Sequence, residues 1–252
     1  MKKQTILITG AGDGLGFCTA RILLERGANL IAVVRERNAF VKKLAEKSLL
    51  YRDQLRILEC DLSNLERVRK LFSEVNFAEI DVCIQSAGTS HFGAFDSLSE
   101  EKVLSILNVN AAAPILISSH FVRNALRGSM LINVTSITSY LPLTHNALYS
   151  AAKQALSTVT VAISREMRRK EITVLDFCPG SLGTSFHKKA VGRRNIPLNV
   201  AMSAESCALI LVRSIDRKTS GSLFPDLVAK VVHLATWNFG RLITRLPGMR
   251  VF

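Results

Sequence analysis

Short β-rich runs alternate with helix-length amphipathic stretches along most of this 252-residue chain, and that alternation admits few folds. Thr5–Thr9 (T-I-L-I-T), Leu30–Val34, Leu55–Glu59, Val82–Gln85, Met130–Val134 and Ile172–Phe177 read as six strands. Several are apolar almost throughout, as strands covered on both faces are. Helical patterns lie between them over Leu15–Arg26, Ala39–Tyr51, Leu65–Glu74, Glu100–Leu126 (with a break expected near Pro114) and Ala147–Arg169. Ser203–Asp216 reads as a further helix capped by Ser203, and Ser222–Phe224 as a short seventh strand. Strand then helix, repeated, predicts an α/β fold: a single doubly wound parallel sheet of about seven strands with helices on both faces. No Pro/Ser/Gly-rich linker and no internal repeat interrupts the rhythm, so residues 1–252 are expected to form one domain ending in a tail over 226–252.

Composition narrows the class. Hydrophobic residues at 48% and charged residues at 21% exclude a disordered chain, a coiled coil and a disulfide-stapled miniprotein. The five cysteines (Cys18, Cys60, Cys83, Cys178, Cys207) form no CxxC pair and no Cys/His spacing for zinc, so buried reduced thiols and no metal are expected. No signal peptide and no apolar run of membrane-spanning length is read, which predicts a cytoplasmic protein. The charge of +13 concentrates in Arg165–Lys170 and His187–Arg194. No aromatic platform or zinc finger accompanies those clusters, so nucleic acid is not expected as a partner. Anionic small molecules, acidic carrier proteins and anionic lipid surfaces fit better.

The segment Thr9-Gly10-Ala11-Gly12-Asp13-Gly14-Leu15-Gly16 leaves the first strand and opens the first helix. Glycines there let the backbone turn sharply and approach a pyrophosphate, which rests at the positive end of the helix. The spacing is Gly10-x-x-x-Gly14-x-Gly16, unlike the commoner Gly-x-Gly-x-x-Gly. Where an acid at the end of the second strand would bind a ribose 2′-hydroxyl, this chain has Val34 followed by Arg35. Arg35, with Arg37 nearby, attracts a 2′-phosphate, which favours NADP(H) over NAD(H). Asp13, inside the glycine turn, works against that preference.

Tyr149 and Lys153 stand four apart in a helical stretch (Y-S-A-A-K), on one face and one turn apart. A phenol titrates near pH 10, and a neighbouring ammonium favours its phenolate, so Tyr149 is expected to exchange a proton with a substrate oxygen. Ser136, just past the fifth strand, can hold the same oxygen.

Taken together, T-G-A-G-D-G-L-G (Thr9–Gly16), Asp61-Leu62, Q-S-A-G (Gln85–Gly88), Asn110, Thr135-Ser136, Y-S-A-A-K (Tyr149–Lys153) and P-G-S-L-G-T (Pro179–Thr184) resemble the short-chain dehydrogenase/reductase family over nearly the whole chain. The resemblance implies a Rossmann-like fold and hydride transfer between nicotinamide and a carbonyl or carbinol carbon, without metal. It implies that Tyr149 is the general acid/base and that Ser136 orients the carbonyl. Lys153 would lower the Tyr149 pKa and bind the nicotinamide ribose, and Asn110, chosen over Asn108, would hold a water that resupplies protons. Gly10, Gly12, Asp13, Gly14, Leu15 and Gly16 would line the cofactor. Asp61 and Leu62 would flank the adenine, Ala87 and Gly88 the adenosine side, and Pro179, Gly180 and Thr184 the nicotinamide end. The usual N-N-A-G is Q-S-A-G here, so two amides that brace the sheet are replaced, which predicts altered stability more than lost activity. The family further implies a homodimer or homotetramer built on Ala111–Leu126 and Ala147–Arg169.

Leu141, His145 and Phe186 are the expected substrate contacts, whereas Phe92 and Phe95 read as core packing. From Asp226 to Leu246, apolar residues recur at helical spacing among Lys230, His233, Arg241 and Arg245. That tail reads as a helix packed on the body or a partner subunit, or as a basic amphipathic helix in peripheral contact with a membrane. The expected function is NADP(H)-dependent oxidoreduction of a hydrophobic, lipid-like carbonyl compound. Reduction of a 3-oxoacyl group on an acyl carrier protein is the alternative, and a non-catalytic cofactor-binding regulator lies further off.

Overall fold

The computed structural model describes residues 3–36, 53–141, 143–183, 202–226, 230, 231 and 234. Seven strands form one sheet: β1 (Thr5–Thr9), β2 (Asn29–Val34), β3 (Leu55–Glu59), β4 (Val82–Gln85), β5 (Met130–Val134), β6 (Thr173–Phe177) and β7 (Gly221–Leu223). All are parallel, in the order β3-β2-β1-β4-β5-β6-β7. The order reverses between β1 and β4, and in open α/β sheets such a switch point is where ligands bind.

Helices α1 (Gly14–Glu25), α2 (Leu65–Glu74), α3 (Glu100–Leu107), α4 (Ala113–Asn124), α5 (Ala147–Glu166) and α6 (Ala204–Asp216) cover the sheet. Side chains alternate across a strand, and β1 shows how this builds two cores. Ile6 and Ile8 face one way, into a cluster with Leu15 and Leu23 of α1 and Leu211 and Val212 of α6. Leu7 faces the other way, among Leu71 of α2 and Ile117 and Phe121 of α4. Phe77, Phe121 and Phe177 are wholly buried, each contributing about 1.5–3 kcal/mol of transfer free energy.

Local chemistry sets the ends of these elements. The Asp13 carboxylate accepts from the Gly14 amide (2.8 Å) and caps α1, while Ser203 caps α6 by accepting from Ser206 N (3.0 Å). Gly27, at φ +84°, supplies the left-handed residue that ends α1.

The break expected near Pro114 is present as a π-helical turn, Asn108–Ala112, between α3 and α4. Proline lacks the amide hydrogen that the Asn110 carbonyl would receive four residues on, and the chain absorbs the loss by widening one turn. Within the resulting 25-residue run Glu100–Asn124, an 18-residue window reaches a mean hydropathy of 1.4, long and apolar enough by length and composition alone to cross a bilayer. Ala113, Ile117 and Phe121 of that run are buried in the protein's own core.

Of the five cysteines, four are buried and Cys18 half-buried, all as free thiols. The expected helix Ala39–Tyr51 lies outside the described residues, as do Arg37, all of Thr184–Val200 and most of the tail. Lys230, Val231 and Leu234 are helical, with Val231 and Leu234 exposed.

Candidate active site

The glycine turn sits at the carboxyl end of β1, beside the switch point. Gly10 has φ +73°, and a Cβ on it would lie 2.7 Å from the Ala87 backbone. A Cβ on Gly16 would come 2.2 Å from the Gly10 carbonyl oxygen, so α1 starts hard against the turn. Gly14 also has positive φ (55°). The turn is pinned by Gly10 N to Val33 O (3.0 Å), and Ala87 N donates to Thr9 Oγ1 (3.3 Å). Leu15 points into the core, so what it offers a ligand is its backbone at the start of α1. A bare backbone at a helix N-terminus beside a switch point fits a dinucleotide pyrophosphate.

Arg35 follows β2 directly, with its side chain 72% exposed and only a loose 3.7 Å pairing to Glu36. Asp61 and Leu62 follow β3 on the same side of the sheet. Asp61 Oδ1 accepts from the Ser63 amide (2.9 Å) and hydroxyl (2.8 Å), and Leu62 is buried. Asn108 donates to Ser63 O (2.8 Å) and braces this corner. Asn110, wholly buried, instead ties the loop after β4, through Nδ2 to Thr89 O (2.7 Å) and Ile106 O (2.9 Å) and Oδ1 from Thr89 N (3.2 Å). The two asparagines thus have separate tasks, and the exposed Gly88 lies in the loop that Asn110 holds.

Ser136, Tyr149 and Lys153 come together at the carboxyl ends of β4 and β5. Ser136 is extended (φ −162°) and caps the short turn Ile137–Ser139, and its hydroxyl hydrogen-bonds the Tyr149 phenol. Lys153 is 3% exposed, donates from Nζ to Val134 O (2.8 Å) and lies 6.0 Å from the centre of the Tyr149 ring. Pro179 and Gly180 close the other side. Ile137 N donates to Pro179 O (3.0 Å), and Gly180 N donates to an Asp226 carboxylate oxygen (2.9 Å).

The electrostatics differ from the expectation that Lys153 depresses the Tyr149 pKa. Burial pushes the Tyr149 phenol up, and the hydrogen bond from Ser136 is what opposes it. Burial also brings Lys153 down to about 8, resisted by Asp176. The lysine points past the phenol to a strand carbonyl, so its charge reaches Tyr149 only weakly.

Asp176 went unread in the sequence although the signal was there: an acid inside an apolar strand, V-L-D-F-C. It is wholly buried on β6, accepting from Thr135 Oγ1 (2.6 Å), Ser157 Oγ (2.7 Å) and Tyr140 OH (3.3 Å). Ser157 lies one turn beyond Lys153, so Tyr149, Lys153 and Ser157 form one polar stripe on α5. Thr160 continues it, its hydroxyl accepting from Asn133 Nδ2 (2.9 Å). Gln85 substitutes for a bracing amide by donating to Pro114 O (2.9 Å), while its Oε1 has no partner.

Of the expected substrate contacts, Leu141 and His145 are exposed and beside the site, with Leu143 also exposed between them. His145 has a left-handed backbone (φ 62°), and its carbonyl accepts from Gly93 N (2.9 Å). Phe92 packs 5.7 Å from the His145 ring and Phe95 is 70% exposed, so neither is core packing; the loop after β4 turns them outward. Thr184 and Phe186 lie outside the described residues.

The short chain dehydrogenase family description matches residues 4–195. An uncharacterised oxidoreductase of Methylorubrum extorquens is 24% identical over 99% of both chains. A hydroxynaphthalene reductase-like protein of Metarhizium guizhouense is 24% identical over 73% of this chain and 70% of its own. Among solved structures, a short-chain dehydrogenase of Sphingobium yanoikuyae in complex with NADPH superposes with TM-score 0.81 at 20% identity, covering 99% of this chain and 98% of that one. A bulky-bulky ketone specific alcohol dehydrogenase of Comamonas testosteroni gives 0.79 at 19% identity, over 100% and 98%. A tight glycine turn and a buried serine–tyrosine–lysine set on one parallel sheet thus have their explanation in descent: the chain belongs to the short-chain dehydrogenase/reductase family of NAD(P)-dependent oxidoreductases.

Proposed function

We propose that the protein is an NADP(H)-preferring oxidoreductase acting on the carbonyl or hydroxyl carbon of a hydrophobic substrate, with Tyr149 as general acid/base. The observation that carries this reading is the Tyr149 phenol, buried, hydrogen-bonded to Ser136 and one helical turn from Lys153. When bound, the nicotinamide cofactor supplies or accepts the hydride. Ser136 holds the substrate oxygen, and Tyr149 gives that oxygen its proton in reduction and takes it back in oxidation. Lys153 binds the nicotinamide ribose and passes protons to Tyr149. The Asn110 side-chain amide donates both its hydrogens, to Thr89 O and Ile106 O, and Pro114 has no amide hydrogen for the Asn110 carbonyl four residues back, which favours that carbonyl as the holder of a proton-supplying water.

Three features support the finer points. Arg35 stands exposed at the end of β2 where an acid would select NAD(H), and the carboxylate of Asp13 is engaged in capping α1. Leu141 and Leu143 offer apolar surface between Ser136 and Tyr149, with Phe92 nearby, which favours a lipophilic ketone. The relatives named for a hydroxynaphthalene reductase and for bulky ketones point the same way. Exposed Leu104 and Leu126 on the α3–α4 side favour a homodimer or homotetramer. The test is a fluorescence titration with NADPH and NADH: at least tenfold preference for NADPH, lost in Arg35→Ala, is expected, and equal or inverted affinity overturns the cofactor assignment.

A second reading, reduction of a 3-oxoacyl group on an acidic carrier protein, draws on Arg165, Arg168, Arg169 and Lys170, which form an exposed basic cluster at the end of α5. Carrier binding that weakens steeply with salt favours it, and salt-independent binding removes it.

A further inference from the structure

We propose that Asp176 is a positioning residue for the proton-transferring pair: its buried carboxylate is the counter-charge that keeps Lys153 an ammonium inside a dry site. The inference rests on Lys153 serving Tyr149 as described above.

The placement is specific. Asp176 pairs in register with Asn133 of β5, so both side chains point at α5, which approaches with Tyr149, Lys153, Ser157 and Thr160 in one stripe. Lys153 takes Val134 O on β5, and Ser157, the next residue of the stripe, takes Asp176 on β6. The ammonium and the carboxylate therefore lie in adjacent steps of the same helix–sheet seam; Asp176 holds the Lys153 pKa up against burial, while burial pushes the Asp176 carboxyl up and the hydroxyls of Thr135, Ser157 and Tyr140, then Lys153, oppose that rise.

A lone carboxylate at zero exposure is costly, and so is a lone ammonium at 3%. Together they offset one another provided that the remaining lone pairs are satisfied. Here they are. Thr135 and Ser157 lie 2.6 and 2.7 Å away, the range of hydroxyl donors to an anion, and Tyr140 adds a longer bond at 3.3 Å. Ser157 and Tyr140 also bond each other at 3.0 Å, which ties the donors into one network.

Few other groups compete for Lys153 among the described residues. From its own helix comes the phenol of Tyr149. From beyond β6 comes Cys178, whose thiol is pushed far up by burial and stays neutral. Glu100 and Glu101 of α3 are exposed, and the π-helical turn and β7 bring no ionisable side chain. Asp176 is the anion left to balance the lysine, and it approaches from the side of the sheet, leaving the face of Lys153 toward Tyr149 and the cofactor clear.

A purely structural Asp176 and a charge-setting Asp176 differ in one measurable quantity, the protonation midpoint of Lys153. The experiment uses the full-length chain with ε-¹³C-labelled lysine, titrated by ¹H–¹³C correlation spectra from pH 6 to 11, with the Lys153 signal identified by its loss in Lys153→Arg. Wild type is expected to titrate near pH 8. Asp176→Asn, which keeps the shape and removes the charge, is expected to move the midpoint down by about one unit. Asp176→Ser also removes the charge, with a smaller polar group, and moves the midpoint the same way; it decides the matter if Asp176→Asn fails to fold. An unchanged or raised midpoint in the folded variants overturns the proposal. The readout needs neither cofactor nor turnover, so it can fail while Tyr149 remains the acid/base, and the converse.

Discussion

Gly16→Ala tests how the glycine turn is built. The added Cβ would stand 2.2 Å from the Gly10 carbonyl oxygen, 2.8 Å from the Gly10 carbonyl carbon and 3.3 Å from Ala11 N. All three are backbone atoms, so no rotamer change relieves the contact. Opening the closest one from 2.2 Å to 3.0 Å requires about 0.8 Å of movement between α1 and the turn. The turn cannot yield alone, because Gly10 already faces the Ala87 backbone with no space for retreat. Overpacking of this kind costs about 1–3 kcal/mol. In a chain of this size each kcal/mol lowers Tm by about 2–4 °C, so a fall of roughly 2–12 °C is expected. The same displacement takes the start of α1 away from a bound pyrophosphate, and NADPH affinity should drop at least tenfold, about 1.4 kcal/mol. Differential scanning calorimetry and nicotinamide fluorescence read the two effects. Gly183→Ala is the control: among the described residues a Cβ there meets nothing within 4 Å, and its φ is not positive. A Gly16→Ala protein with wild-type Tm and wild-type affinity would refute the idea that close backbone approach fixes the cradle.

Tyr149→Phe keeps the buried ring and should leave NADPH affinity within about threefold while lowering turnover by about 10²–10⁴, read as NADPH consumption with an accepted ketone; retained turnover removes Tyr149 as the acid. Asp13→Ala should cost about 1 kcal/mol and 2–4 °C of Tm through loss of the α1 cap, with Asp13→Ser restoring it; thermal melts of the pair decide. Lys153 gives a pH dependence of definite sign. Its folded value, about 8, lies below the unfolded value near 10.4, so the unfolded chain binds more protons between them. The lysine therefore penalises the fold fully below pH 8, and the penalty fades as pH rises toward 10.4. Raised thiols such as Cys83 and the raised Tyr149 phenol act oppositely in that range, so the lysine's share is read as a difference. As pH rises from 8 toward 10.4, wild type should gain roughly 2–4 kcal/mol relative to Lys153→Met in urea melts, whatever the sign of their difference at pH 7; a pH-independent difference contradicts the assignment.

The sheet and the chemical residues were legible because they rest on local signals. Short β-rich runs place β1, β3 and β5 at their observed ends, and the i, i+4 spacing brings Tyr149 and Lys153 to one face. What stayed hidden depended on partners distant in sequence. The π-helical turn at Asn108–Ala112 follows from Pro114, but where the chain widens is decided by Asn110 anchoring Thr89 and Ile106. Phe95 looks like core by composition and ends 70% exposed because the loop after β4 is tied to His145 rather than to the sheet. The direction of the Tyr149 shift escaped because helical spacing says that Lys153 is near, not that Val134 O draws its ammonium aside. Asp176 carried its own signal as a charge in an apolar strand; its three hydroxyl partners lie 41, 36 and 19 residues away.

The polar seam beneath α5 also bears on how such a protein can diversify. The helix is fastened to the sheet along its middle, by Lys153 on Val134, Ser157 on Asp176 and Thr160 on Asn133, rather than by the loop that leads into it. Residues 141–146 can therefore change in length or polarity while Tyr149 stays where the sheet puts it. Selection acting on substrate choice and selection acting on proton transfer fall on separate stretches of chain. New specificities arise in the loop without the chemistry having to be reinvented.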